Sequence, residues 1–447
     1  MQHNVILLVL DTLRKDSIYP YNQNLNTPTI KKLIEDSVVF PNAVSPASWT
    51  LPAHGSIFTG KYPSKSGIHE NLNDIADFSY LMDSYEGKTM SEVFSQNGYN
   101  TYSYSQNNLI GADTGYSRGF HTNIHTKSEF EDRNTRMLYN YNMIINKWGS
   151  DGKSILKSLL KNKDFTEFGK RYFGLKIDTQ WLKKADMTDK GGMATIESIE
   201  QGKLEEPFFL FVNLMDMHDP HDYRSLKISW QDSVFGDVSK LSKFGKEIFD
   251  SYIGAGVGLD ALISKLLTIL KEKHYLEHTI IIITSDHGQS FFEGNQYYGH
   301  GNFLLDQIIE VPLILRLPNS KKFPIGIGYQ STSKLYEFIP QLAFEDVNYD
   351  ALSESFCFSE AYGSMDKDII KYKNTSNFQS KFDKLNTIKK AIYSNEYKLV
   401  LDLTHGYVEE FKRNGKPVSV TEHKSVYSEM VGEIETFSWN EDLRYPS

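Results

Sequence analysis

The sequence predicts an α/β protein, in which buried parallel strands alternate with helices and are followed by a small antiparallel β subdomain. Three observations predict it. Val5 to Leu10, Phe208 to Leu214 and Thr279 to Thr284 are continuous apolar runs rich in Ile, Val, Leu and Phe, the pattern of strands buried on both faces. Segments with helical spacing fill the gaps between these runs. After Pro318 the pattern shifts to short β-type runs.

Taken in order, the first run ends in Asp11-Thr12. The segment from Thr27 to Asp36 opens on Thr-Pro, a good helix start, and carries Ile30, Leu33 and Ile34 on one face. Thr50 stands just before Pro52 and an apolar run to Phe58, placed like a helix N-cap. From about Asn123 to Gly202 the chain is rich in Lys, Asn and aromatics with helical spacing and no strand signal, and it reads as a helical insertion that caps the site. The second run ends in Asp216-Met217-His218-Asp219-Pro220-His221. A long apolar stripe through Ile253, Val257, Leu259, Leu262, Leu266, Leu267 and Leu270 marks a helix from Ile248 to Leu270 ahead of the third run, in βαβ order. That run ends in Ser285-Asp286-His287-Gly288. Ser355 to Ser359, Lys390 to Tyr393 and Lys398 to Leu403 are the strands expected of the C-terminal part. The expected division is residues 1–325 for the α/β unit, including the insertion at 123–202, and 326–447 for an α+β subdomain.

Composition narrows the classes. The 447 residues are 40% hydrophobic and carry a net charge of −9, which leaves no electrostatic footprint for general nucleic-acid binding. The four lysines between Lys153 and Lys163 read as a solvated helix face. No run approaches the roughly 20 apolar residues of a membrane span, so no membrane segment is expected. The single cysteine, Cys357, forms no internal disulfide and fits a reducing compartment, so the expected location is cytoplasmic.

In open α/β sheets the ligand site lies beyond the carboxyl ends of the strands, so the polar clusters should converge. Asp11, Asp286, His287 and Thr50 then supply two carboxylates, an imidazole and a hydroxyl, a set suited to one divalent cation, Zn or Mn ahead of Ca or Mg. Such an ion lowers the pKa of a bound hydroxyl, so that threonine attacks as an alkoxide. Each residue has a plainer reading beside this one. Thr50 can serve as a helix cap and Asp11 as a turn cap, and Asp286 can close an Asx turn. His300, between Gly299 and Gly301, either touches a ligand that the glycines let the backbone approach or sits in an exposed loop. His218 and His221 either protonate a leaving group or bind a second metal, or they belong to a polar turn around Pro220.

In order along the chain stand Asn4 to Arg14, the segment Ser48-Trp49-Thr50-Leu51-Pro52-Ala53-His54-Gly55 running on to Gly60 with Tyr62-Pro63 behind it, Tyr252 through Asp260, Thr284 to Gly288, Glu310-Val311-Pro312-Leu313-Ile314, Thr332 to Leu342, and Tyr397-Lys398-Leu399-Val400. This ordered set resembles the sulfatase family of the alkaline phosphatase superfamily. The resemblance implies a three-layer sandwich whose central mixed, mostly parallel sheet is flanked by helices, a small C-terminal antiparallel β subdomain, and hydrolysis through a covalent intermediate on a metal-bound nucleophile. It also exposes departures. Sulfatases carry Cys or Ser, converted to formylglycine, where this chain has Thr50, and threonine cannot yield that aldehyde. His54 replaces the Arg that completes the family motif, Thr12 replaces a second Asp, and Gln106-Asn107-Asn108 stands where Lys-Trp-His is expected. These changes favour a metal-dependent hydrolase of phosphoesters or phosphonate esters working through Thr50. The alternatives are a sulfuric ester hydrolase with an atypical nucleophile, a phosphotransferase acting on a glycan or headgroup, and a non-catalytic binding relative. The catalytic set is then Thr50, His54, His218, His221 and His300; Asn108 and His300 contact substrate; Asp11, Thr50, Asp286 and His287 hold the metal. The partner expected is a small-molecule or glycan-linked phosphate or sulfate ester.

Overall fold

The computed structural model describes residues 2–447 except 23–25, 70–80, 128, 150, 185–189, 222–233, 235–241, 294–296, 321, 324, 326–327, 345–351, 364–376, 440, 442 and 447. Its centre is a seven-stranded sheet in the spatial order Val38–Phe40, Leu313–Arg316, Thr279–Thr284, Asn4–Leu10, Phe208–Leu214, Asn100–Ser105, Thr122–His125. Asn4–Leu10 pairs in parallel with Phe208–Leu214 on one side and Thr279–Thr284 on the other, so all three apolar runs lie side by side at the middle. Leu313–Arg316 runs antiparallel to both of its neighbours, which makes the sheet mixed.

Side chains of a strand alternate between the two faces of its sheet. Ile6, Leu8 and Leu10 face a core built with the helices Gly192–Gln201 and Gly245–Glu272. Val5, Leu7 and Val9 face a second core built with Thr50–Thr59, Met90–Gln96 and Leu335–Phe344. These are the two helical layers of the sandwich. A five-stranded antiparallel sheet follows, in the order Cys357–Tyr362, Ile388–Ser394, Tyr397–Asp402, Tyr407–Arg413, Lys416–Pro417, with the helix Lys424–Phe437 packed on it.

Four expectations need correction. The stretch from Asn123 is not free of strand, because Thr122–His125 adds a parallel edge to the sheet. Within the helical insertion, Gly192–Gln201 belongs to the core layer through the buried Ile196 and Ile199. Val257 does not join the apolar stripe of the long helix; it is half exposed. That helix, Gly245–Glu272, is also long and apolar enough to cross a membrane by length and composition, with a mean hydropathy of 1.7 over its most apolar stretch. Here it serves as the core helix, with Ile248, Tyr252, Leu259, Leu262 and Leu266 buried against the sheet.

Candidate active site

Three strand ends and one helix start build the site. Asp11 follows Asn4–Leu10, Asp286 and His287 follow Thr279–Thr284, and both strands share one register, so their carboxyl ends stop side by side. Ser285 ties them together: its Oγ donates to Leu10 O at 2.7 Å and accepts from Leu13 N at 3.0 Å. The ligand atoms of Asp11, Asp286 and His287 lie within 4.8 Å of one another, and all three side chains are buried. Gly288 lets the turn pass this close to the chain behind it. A Cβ there would stand 2.1 Å from Gln307 O, and Gly288 N donates to Ile308 O at 2.7 Å.

Thr12 is no metal ligand but a brace. Its φ of +65° is costly for a β-branched residue. In that conformation its N donates to Asp286 Oδ1 at 3.2 Å and its Oγ1 to Asp11 Oδ1 at 2.9 Å, while its carbonyl accepts from Tyr252 OH at 3.0 Å. One strained residue thus holds both carboxylates. Asn107 Nδ2 donates to Asp11 Oδ2 at 2.7 Å. Asn107, not the exposed Asn108, therefore turns toward the acidic pair.

Thr50 opens the helix Thr50–Thr59, and the cap position belongs to the extended Trp49. The N-cap expectation is off by one residue. Thr50 Oγ1 lies 3.3 Å from His287 Nε2. His54, one turn on, places Nδ1 2.9 Å from Thr50 O and 3.5 Å from Asp286 Oδ2, and its Nε2 3.4 Å from the Asn213 amide. Fully buried and engaged at both ring nitrogens, His54 braces the first helical turn.

The histidines divide. The His300 ring lies 4.3 Å from that of His287 and 5.2 Å from that of His218, centroid to centroid, so these three line one side of the site. The glycines flanking His300 act through backbone conformation: both have positive φ, a Cβ on Gly301 would meet nothing, and Gly301 N donates to Ser48 O at 2.9 Å, two residues before Thr50. His221 instead packs edge-on against Tyr252 at 5.1 Å and beside Phe291, in the core. Asp219 is the partner of His218: His218 Nδ1 lies 2.7 Å from the Asp219 carbonyl and 3.3 Å from Asp219 Oδ1, while Asp219 Oδ2 accepts from Tyr298 OH at 3.1 Å.

Electrostatics sort the groups further. Burial opposes charge on His218, but Asp219 and Asp11 outweigh it and raise the imidazole pKa. Burial, then the neighbouring His287 and His218, hold His300 well below the ordinary histidine value. Burial and then the charge of Asp11 push Asp286 up to about 7, and burial brings His287 down to about 4.

The donor set fits a divalent cation. Asp286 Oδ2 is buried and receives no hydrogen bond. His287 Nδ1 lies 2.9 Å from Gly288 O, so its N–H is committed there and the Nε2 lone pair faces the carboxylates and Thr50 Oγ1. Two adjacent buried carboxylates also need a positive partner to ionise together.

The sulfatase family profile matches residues 3–343. The chain belongs to the sulfatase family. Among its sulfatase relatives, the ulvan-active sulfatase of Formosa agariphila is 24% identical over 346 residues, 76% of this chain and 60% of that protein. Human iduronate 2-sulfatase is 25% identical over 390 residues, covering 75% of this chain and 64% of its own length. The chain thus spans less than two thirds of the length of these relatives. The same fold is present in the phosphonate monoester hydrolase of Agrobacterium radiobacter (TM-score 0.61, 14% identity, 98% of this chain and 95% of that one). It is also present in a 2-O GAG sulfatase (TM-score 0.68, 14% identity, 100% and 95%).

Proposed function

We propose that this protein is a metal-dependent ester hydrolase that cleaves phosphodiester or phosphonate ester bonds through a covalent Thr50 intermediate. The observation that carries the reading is the position of Thr50 Oγ1, at a helix N-terminus and 3.3 Å from His287 Nε2, against the Asp11–Asp286–His287 cluster. Both curated relatives named above are sulfatases and one structural neighbour is a phosphonate monoester hydrolase, which supports ester hydrolysis as the reaction class.

Asp11, Asp286 and His287 would hold the ion, with Thr50 beside it; an imidazole among the ligands suits Mn or Zn better than Ca. Such an ion lowers the pKa of the threonine hydroxyl and offsets charge on the ester oxygens. Pro52 has no N–H and the Ala53 N–H donates to Trp49 O, so the amides of Thr50 and Leu51 are the ones that would bind the anionic centre at this helix start. Thr50 Oγ1, its proton lost to solvent, forms a bond to phosphorus as the bond to the leaving oxygen breaks, and His218, whose pKa the charges of Asp219 and Asp11 raise, gives that oxygen its proton. Water then attacks phosphorus, His218 taking back a proton from it, and the Thr50 Oγ1–phosphorus bond breaks to release the phosphate or phosphonate and restore the threonine oxygen. Thr50, the asparagine on Asp11 and the imidazole ligand support phosphorus over sulfur as the centre attacked. The sulfatase relatives favour sulfuric ester hydrolysis as the second reading.

The test is a panel of aryl phosphodiester, aryl phosphonate monoester, aryl phosphate and aryl sulfate, assayed with Mn and with Zn. We expect the diester or phosphonate to be turned over fastest, with activity lost on chelation. Aryl sulfate as the fastest substrate would establish the second reading. A protein that binds metal and turns over none of the four would refute hydrolysis.

A further inference from the structure

The charge of the chain is segregated. Against a net charge of −9 for the whole, residues 147–184 carry ten Lys and Arg and four Asp and Glu, a net of +6. This stretch contains the helices Gly152–Asn162 and Phe165–Leu182. In the first, Leu159 and Ile155 turn inward onto Ile144 and Trp148, so the helix has already used its buried face. Leu156 and Leu160, one turn apart, are nevertheless 57% and 64% exposed. Lys153, Lys157 and Lys161 repeat at the same spacing in the neighbouring row and are also exposed. Among the described residues they pair with no carboxylate. The second helix repeats the pattern: Phe173 and Ile177, one turn apart, are 65% and 63% exposed, with Lys170 and Lys176 exposed around them.

A merely solvated helix face has no reason to present large apolar side chains at regular spacing between its lysines. We infer that this basic, apolar-studded face binds the surface of an anionic phospholipid bilayer, its leucines, phenylalanine and isoleucine entering the headgroup boundary and its lysines meeting lipid phosphates. Two physical points choose this occupant. A nucleic-acid backbone would engage the lysines but leave the aliphatic side chains without a partner. A second copy of the chain in a two-fold interface would cover the apolar residues but set like charges against each other. None of these residues is among those that build the Thr50 site, and the test of this surface does not depend on the reaction.

The experiment is co-sedimentation of the full chain with phosphatidylcholine vesicles, with and without phosphatidylglycerol, at low and high salt. Binding to the anionic vesicles alone, reversed by salt, is the expected result. Each lysine near such a surface contributes a factor of about five, so Lys153→Gln, Lys157→Gln and Lys161→Gln together weaken binding about a hundredfold. Leu156→Ser with Leu160→Ser abolishes it while turnover of a soluble ester is unchanged. Leu160→Trp reports insertion directly, and we expect its emission to shift to the blue on anionic vesicles only. No binding to either vesicle overturns the proposal, as does binding that ignores the lysines. Self-association that Leu160→Ser breaks overturns it in favour of a second copy.

Discussion

Burial first, and the charge of Asp11 second, raise the Asp286 carboxyl to about 7, while burial brings the His287 imidazole to about 4. Below pH 7 a metal ion must therefore displace a proton from Asp286, whereas His287 stays an open ligand until far more acidic conditions. Metal affinity measured by calorimetry should fall about tenfold per pH unit from about 7 toward about 4, with one proton released per ion. An affinity flat across that range would remove Asp286 from the ligand set. The same shift acts on the metal-free fold. A folded-state pKa above the unfolded value contributes stability that is full below the unfolded pKa and lost as pH rises through about 7. His218 gives the second residue-scale expectation. If it protonates the leaving oxygen, His218→Gln lowers kcat by about two to four orders of magnitude for esters with poor leaving groups. With an activated aryl leaving group the loss should be much smaller. Equal losses for both would mean that His218 acts otherwise.

At the scale of elements, the nucleophile helix is held from outside its own layer. Glu360, on the strand Cys357–Tyr362, donates its backbone N–H to Pro46 O at 2.8 Å ahead of that helix, and its Oε2 accepts from Ser64 N at 3.0 Å beyond it. Its charge is balanced by the fully buried Lys390 at 2.9 Å. The C-terminal sheet thus clamps both ends of the segment that carries Thr50. Glu360→Gln leaves Lys390 with Glu441 as its one carboxylate partner among the described residues, and the expected cost is about 3 kcal/mol, read by denaturant unfolding. A change below about 0.5 kcal/mol would show that the clamp is not needed.

Asp306 joins the two parts of the molecule at a further point, through Lys398 and Lys412 of the C-terminal sheet. Burial works against its anion, but the two lysines outweigh burial and bring its pKa down to about 2. A depressed folded-state pKa contributes stability that is present above the unfolded value of about 3.9 and lost as pH falls through about 2. The Asp306→Asn variant should therefore be about 2 kcal/mol less stable than the parent at neutral pH, and the gap should close over that acid window. A gap independent of pH would place the cost elsewhere.

The molecule as a whole also shows where sequence patterns stop being informative. The central strands were legible because parallel strands buried on both faces leave continuous apolar runs, and their polar ends marked Asp11, Asp286 and His287. Thr122–His125 was not, since a short polar edge strand with alternately exposed residues has no such run. The bracing roles of Thr12, Asn107 and His54 were equally hidden. Thr12 meets an acceptor 274 positions away in sequence, and Asn107 meets one 96 away, so only the folded chain pairs them. His221 and His218 look alike in sequence, and only packing sends one to the core and the other to the site.

In the proposed reaction Thr50 carries the covalent intermediate. Its most direct test is peptide mass mapping after acid quench of the metal-loaded protein during turnover of an aryl phosphonate monoester or phosphodiester. An adduct is expected on the peptide containing Thr50 and absent in Thr50→Ala, whose kcat/KM falls by about four orders of magnitude or more. An adduct on another residue, or undiminished turnover by Thr50→Ala, would contradict it.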